Sequence, residues 1–114
     1  MITDVFCKII KGELSADGVI YKDEDFWVKK DINPQAPVHL LIFPVKHFLN
    51  LDDFKKDEAL LGRAFLLADK MAHEQGLEKG YRLILNEGDH GGKLVPHFHI
   101  HLLGGKRLGP KIVS

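Results

Sequence analysis

The spacing of hydrophobic and polar positions changes several times along the chain, and each change predicts an element. In "DVFCKIIK", Asp4 to Lys11, the residues Val5, Phe6, Ile9 and Ile10 share one helical face behind a cap at Thr3 or Asp4. This predicts a short amphipathic helix stopped by Gly12. "VIYKD" and "FWVKKDI" are rich in β-branched and aromatic residues and flank the polar cluster Asp23 to Asp25, the pattern of a hairpin. The loop "NPQAP", Asn33 to Pro37, ends it, because proline has no N–H for a ladder and restricts the residue before it. "VHLLIFP" is a nearly continuous apolar run of strand length, closed by Pro44. From Asp57 to Gly76 the period becomes helical: Leu60, Leu61, Ala64, Phe65, Leu67, Ala68, Met71 and Ala72 form one broad stripe. Asp57 and Glu58 favour its N-terminal end, and Gly76 supplies the stop. "YRLILNE" is a further strand, followed by the glycine-rich turn "GDHGG".

The last segment alternates strictly. "VPHFHIHLLGG", Val95 to Gly105, sets His97, His99 and His101 against Phe98, Ile100 and Leu102, so the three imidazoles share one face of a strand and the apolar residues face the core. Neighbours on that face stand roughly 6.5–7 Å apart, close enough for a phosphate-sized group or a metal ion to touch two or three of them. Five strands joined by loops or by one helix, with one short and one long helix in total, predict an α+β fold: an antiparallel sheet covered by helices, with the histidines on its exposed face. The single histidines His39, His73 and His90 read as structural or exposed.

Composition narrows the function classes. A chain of 114 residues is one domain, 1–114, with room for a real core. Sixteen basic residues balance sixteen acidic ones, so nothing suggests electrostatic capture of nucleic acid or of a membrane surface. The single cysteine, Cys7, excludes an internal disulfide and suits a reducing compartment; with no leader pattern and no apolar run of membrane length, the cytoplasm is the expected location.

Three chemistries fit the residues. Gly88, Gly91 and Gly92 allow a backbone path that aims N–H groups at one point, and Asn86 adds a side-chain donor, so an oxyanion or phosphate site beside the imidazoles is the leading reading; alone, the glycines would read as a tight turn. Zinc is the runner-up, with His47 and Cys7 as possible contributors, but Asp4 stands where a CxxC pair would need its other cysteine. A free imidazole acting as base or nucleophile near neutral pH is the third.

The motif "HFHIHLL", together with "FCKIIKGEL", "DINPQAPVHLLIFPVKH", "LNEGDHGG" and "HLLGG", resembles the histidine triad family over nearly the whole chain, and in particular its nucleoside phosphoramidase branch. The resemblance implies a five-stranded antiparallel sheet with two helices, paired as a homodimer into a ten-stranded sheet. It implies hydrolysis of AMP or GMP phosphoramidates, that is, of the P–N bond of a purine nucleoside 5′-phosphoramidate, releasing the nucleoside monophosphate without a cofactor or metal. By motif position His99 is the nucleophile that forms a nucleotidyl-histidine, and His101 meets the leaving group. His97 corresponds to the histidine whose carbonyl fixes the nucleophile, and His47 resembles a fourth, supporting histidine. Asn86 and the backbone from Gly92 to Leu94 correspond to phosphate-oxygen donors, Asp31 to the carboxylate that binds the ribose hydroxyls, and Ile32 to part of the base pocket.

The chain also departs from that branch. A polar residue often stands where this chain has Leu94, which leaves only the backbone N–H toward phosphate. Lys29 occupies a position commonly aromatic or apolar near the nucleoside, and "KRLGPKIVS" lacks the tryptophan of some relatives. A nucleotide-binding regulatory module of low turnover and a dinucleoside polyphosphate hydrolase are the alternative expectations.

Overall fold

Helix α1 (Val5–Ile10) starts where the Asp4 carboxylate accepts the Cys7 N–H at 2.8 Å, one of the donors that a helix start leaves without a partner. The computed structural model describes residues 4–110, so Thr3, the other candidate cap, lies outside the described residues. Strands β1 (Val19–Lys22) and β2 (Phe26–Lys30) form the expected hairpin, with both Asp25 and Phe26 N–H groups bonded to the Asp23 carboxylate in its turn. Strand β3 is Val38–Pro44, helix α2 is Glu58–Glu74 behind an Asp57 cap, β4 is Tyr81–Leu85 and β5 is Ile100–Gly104. A short 3₁₀ turn at Leu51–Phe54, capped by Asn50 and buried at Phe54, was not expected from the pattern.

The sheet is antiparallel throughout, in the order β1-β2-β3-β5-β4. One face carries Phe26, Val28, Leu40, Ile42, Ile100 and Leu102, packed on the stripe of α2; Phe65, counted in that stripe, lies at its exposed edge. The other face carries Trp27, Leu41 and Phe43 beneath α1, whose Phe6 stacks on Phe43 with ring centroids 4.3 Å apart. That face was expected to be exposed. The short helix instead covers it, and His97 and His99 are buried.

The histidine segment is only partly a strand. β5 begins at Ile100, so His97 and His99 precede it, and only His101 sits in the ladder. Prolines explain the late start: Pro96 has no N–H, and Pro44, which would face Phe98 if the Ile42↔Ile100 register continued, has none either. The chain bonds elsewhere, with the His97 N–H turned back to the Val95 carbonyl at 2.8 Å and the Phe98 N–H on the Phe48 carbonyl at 2.7 Å. The alternation of faces survives, since Phe98, Ile100 and Leu102 are all fully buried in the α2-side core and Phe98 packs edge-on against Phe54 at 4.7 Å.

Replacing Phe98 by alanine tests this division of labour. Phe98→Ala is expected to lower unfolding stability by about 3–5 kcal/mol, the usual loss for a fully buried phenylalanine. Urea denaturation measures it, and a loss below about 1 kcal/mol would show that Phe98 is not a core anchor.

Candidate active site

Because His97 lies outside the ladder, its carbonyl is open to a side chain. It takes the Nδ1–H of His99 at 2.7 Å. A carbonyl only accepts, so Nδ1 of His99 carries the proton and Nε2 is left with a free lone pair. Burial pushes the His99 pKa down against the pull of the His97 carbonyl, and Lys93 pushes in the same direction. The result is a neutral imidazole with one defined nucleophilic nitrogen.

His97 is itself held at both ring nitrogens. Nε2 donates to the Pro44 carbonyl at 2.8 Å, and Nδ1 lies 3.0 Å from Asp4 Oδ2. The same carboxylate oxygen meets Nδ1 of His47 at 2.9 Å, so the cap of α1 anchors two histidines from opposite parts of the chain. Burial opposes ionisation of Asp4, but the Cys7 N–H and the His97 ring outweigh it and hold the carboxyl below its usual range. Cys7 Sγ sits 3.4 Å from His47 Nδ1 and 3.5 Å from His97 Nδ1, and burial pushes its thiol up. One donor atom from each of Asp4, Cys7, His47 and His97 thus falls within 4.8 Å of the others, a donor set suited in kind and number to zinc. Asp4, which breaks the cysteine spacing, is the residue at its centre. The four already satisfy one another by hydrogen bonding, and His47 is placed beside His97, away from the pocket lining.

His39, read from the sequence as an isolated structural histidine, belongs to the site. Its Nδ1 accepts the Gln35 N–H at 3.0 Å, so its proton is on Nε2, which faces His101 Nδ1 at 2.9 Å and Asp31 Oδ2 at 3.3 Å. His101 therefore accepts at Nδ1 and presents an N–H at Nε2. Burial brings the His101 pKa down to about 4, with the neighbouring His99 and His39 adding to it and Asp31 opposing. The signal that could have found His39 is its register: it and Leu41 point to the same face, and Leu41 pairs with His101.

His99, His101 and Asp31 line a cavity of about 340 Å³ bounded by α1, β2, β3, β5 and the loop that follows β4, with His39 behind them. It brings together His99, His101, Asp31, Ile32, Asn86, Gly92 and Leu94, seven of the residues expected from the sequence; His97 stands behind it as support. Ile32 and Leu94, 91% and 93% exposed, form its apolar rim. The segment between β4 and β5 is longer than a tight turn. Gly88 and Gly92 take positive φ, and a Cβ on Gly91 would stand 2.1 Å from the Glu87 carbonyl oxygen, so glycine is required there. Asn86 spends an amide N–H on the Gly91 carbonyl at 2.7 Å, which braces this loop. Lys93 ties it to the Leu49 carbonyl and to Glu87, whose other oxygen takes the Leu51 N–H at 3.1 Å.

The buried imidazoles make stability depend on pH. Unfolded, His101 takes its proton near the ordinary 6.5; folded, near about 4. Between these values the unfolded chain binds more protons, so stability is expected to fall as pH drops from about 6.5 toward about 4. Burial lowers His97 and His99 as well, although the Pro44 carbonyl and Asp4 oppose it at His97. Urea midpoints at pH 7, 6 and 5 should therefore decline, and decline less in His101→Asn. Equal slopes in the two proteins would contradict the assignment to His101.

Comparison with known proteins places the chain in a family. A family model described as the HIT domain matches residues 13–108. The chain is 44% identical over 110 residues to the purine nucleoside phosphoramidase of Escherichia coli K12, covering 95% of this chain and 92% of that one. It is 49% identical over 109 residues to an uncharacterized HIT-like protein of Chlamydia muridarum, covering 95% and 86%. Among solved structures, a HIT family hydrolase from Clostridium thermocellum superposes with a TM-score of 0.91 at 46% identity over 99% of both chains. Another HIT family hydrolase, from Legionella pneumophila, gives 0.89 at 43% identity over 95% and 97%. On this match and on the site it accompanies, the chain belongs to the HIT family of hydrolases.

Proposed function

We propose that the protein hydrolyses purine nucleoside 5′-phosphoramidates, releasing an amine and the nucleoside monophosphate through a nucleotidyl-histidine at His99. The observation that carries this reading is the 2.7 Å bond from His99 Nδ1–H to the His97 carbonyl, which leaves Nε2 free at the cavity. The likeness to the E. coli phosphoramidase supports the substrate class.

In the first step His99 Nε2 attacks the α-phosphorus and the P–N bond breaks. The departing nitrogen leaves as the amine, taking a proton delivered through the Nε2–H of His101. The His97 carbonyl steadies the positive charge that His99 gains, a charge that exists only once the bond forms. In the second step water attacks phosphorus, the bond to His99 breaks, and a proton returns to His101. The net cost is one water. The Gly92 and Lys93 N–H groups are spent on the Asp89 and Gly88 carbonyls at 3.0 and 3.1 Å, so the Leu94 N–H is the backbone donor of that segment left for the phosphoryl oxygens, while Asp31, held by the Asn33 N–H and His39, accepts from the ribose hydroxyls. A zinc ion on Asp4, Cys7, His47 and His97 would supply structural support to the His97 ring and takes no part in these steps.

The proposed assembly is a homodimer in which β4, an outer strand of the sheet, pairs with its copy to give ten strands. The proposed location is the cytoplasm.

Single-turnover hydrolysis of guanosine and adenosine 5′-phosphoramidates carrying a fluorescent amine tests the reaction, together with binding of GMP and AMP. Wild type should release amine and monophosphate, while His99→Ala and His99→Gly keep nucleotide binding and lose at least about a thousandfold in rate. Binding without turnover in the wild type would reject the hydrolase and leave a nucleotide-binding module.

A further inference from the structure

Lys29 is the unexplained charge of the cavity. It is 6% exposed and lines the cavity between Asp31 and Leu41. Strand parity puts it there: Phe26, Val28 and Lys30 share the α2 side of β2, whereas Trp27 and Lys29 share the side of α1. The register then aligns Lys29 with Leu41 and Leu41 with His101, so one row across three strands runs from the ammonium to the catalytic imidazole.

An ammonium has three donors. Among the described residues, Lys29 Nζ meets one acceptor, the Lys30 carbonyl at 2.9 Å, and no carboxylate pairs with it. A buried cation with donors to spare beside a cavity calls for acceptors from whatever fills that cavity.

The reading of the site as a nucleoside 5′-phosphoramidate hydrolase says where those acceptors lie, and the inference rests on it. With phosphorus at His99 and the ribose at Asp31, the base must continue into the slot between Phe6 and Ile9 of α1 and Leu41 of β3. Lys29 precedes Asp31 by two residues on the same face, a separation of roughly 6.5–7 Å, about the reach from ribose hydroxyls to a base edge. All the other side chains of the slot are apolar. The ammonium is the group in it that can read hydrogen-bonding pattern.

We propose that Lys29 makes the site selective for 6-oxopurine nucleotides, guanine or hypoxanthine, over adenine. Guanine and hypoxanthine offer two adjacent acceptors, N7 and O6, to a lysine, whereas adenine offers N7 beside an amino donor that opposes the ammonium. In a buried slot the mismatch is not relieved by water, so the discrimination should reach about tenfold or more.

Calorimetric binding of GMP, IMP and AMP reads the selectivity without turnover, so it succeeds or fails separately from the hydrolase. Wild type should bind GMP and IMP at least about tenfold more tightly than AMP, and the same ratio should appear in kcat/KM for the matching phosphoramidates. Lys29→Met, apolar and of similar length, should bring GMP and AMP to within about threefold of each other through weaker GMP binding. Equal binding of GMP and AMP by the wild type overturns the proposal, as does a ratio that Lys29→Met leaves unchanged. IMP behaving like AMP also overturns it, because the preference would then read the 2-amino group and not O6. The wild-type comparison needs no variant, so a misfolded Lys29→Met cannot shelter the proposal.

Discussion

One hydrogen bond, from the Nδ1–H of His99 to the carbonyl of His97, organises the candidate site. It selects the tautomer, frees Nε2 and, in the proposed reaction, shares the charge that forms on attack. Much of the fold serves to keep that carbonyl available. In a regular antiparallel strand it would be offered to a neighbouring N–H. Here Pro96 and Pro44 delay the ladder until Ile100, Phe98 anchors the backbone in the core, and Pro44 and Asp4 pin the His97 ring. The cap of a six-residue helix is thus mechanically connected to Nε2 of His99.

A second chain of hydrogen bonds sets the proton of His101. The Gln35 N–H fixes His39, and His39 fixes His101, so a loop closed by prolines determines which nitrogen of His101 presents a proton to the cavity. Asp31 touches the same chain, which couples this carboxylate to His101 across the cavity wall. Burial favours the neutral form of His99 and His101, at a cost in stability below their ordinary pKa. Lys29 lies in the same row of side chains, a buried ammonium in an otherwise apolar slot.

Local periodicity made most of the fold legible. The α2 stripe, the β1–β2 hairpin and the alternation after Pro96 each involve residues a few positions apart, and each is found in the structure. What escaped depends on distant residues. His39 looks isolated in sequence because its partner His101 is 62 positions away, and Asp4 looks like a lost cysteine because its role is set by His47 and His97. The alternating histidines implied a strand from His97 onward. The strand's start depends on Pro44, in a different element, and no pattern within the segment carries that fact.

The most direct measurement is intact-mass and fragment analysis of protein mixed with a purine nucleoside 5′-phosphoramidate and quenched within the first turnover in alkaline denaturant, since a phosphorus–imidazole bond is labile in acid. A nucleotidyl adduct that maps to His99, and rises and decays with amine release, is the predicted result. An adduct on His97 or His101, or amine release with no adduct at any time, would contradict the account.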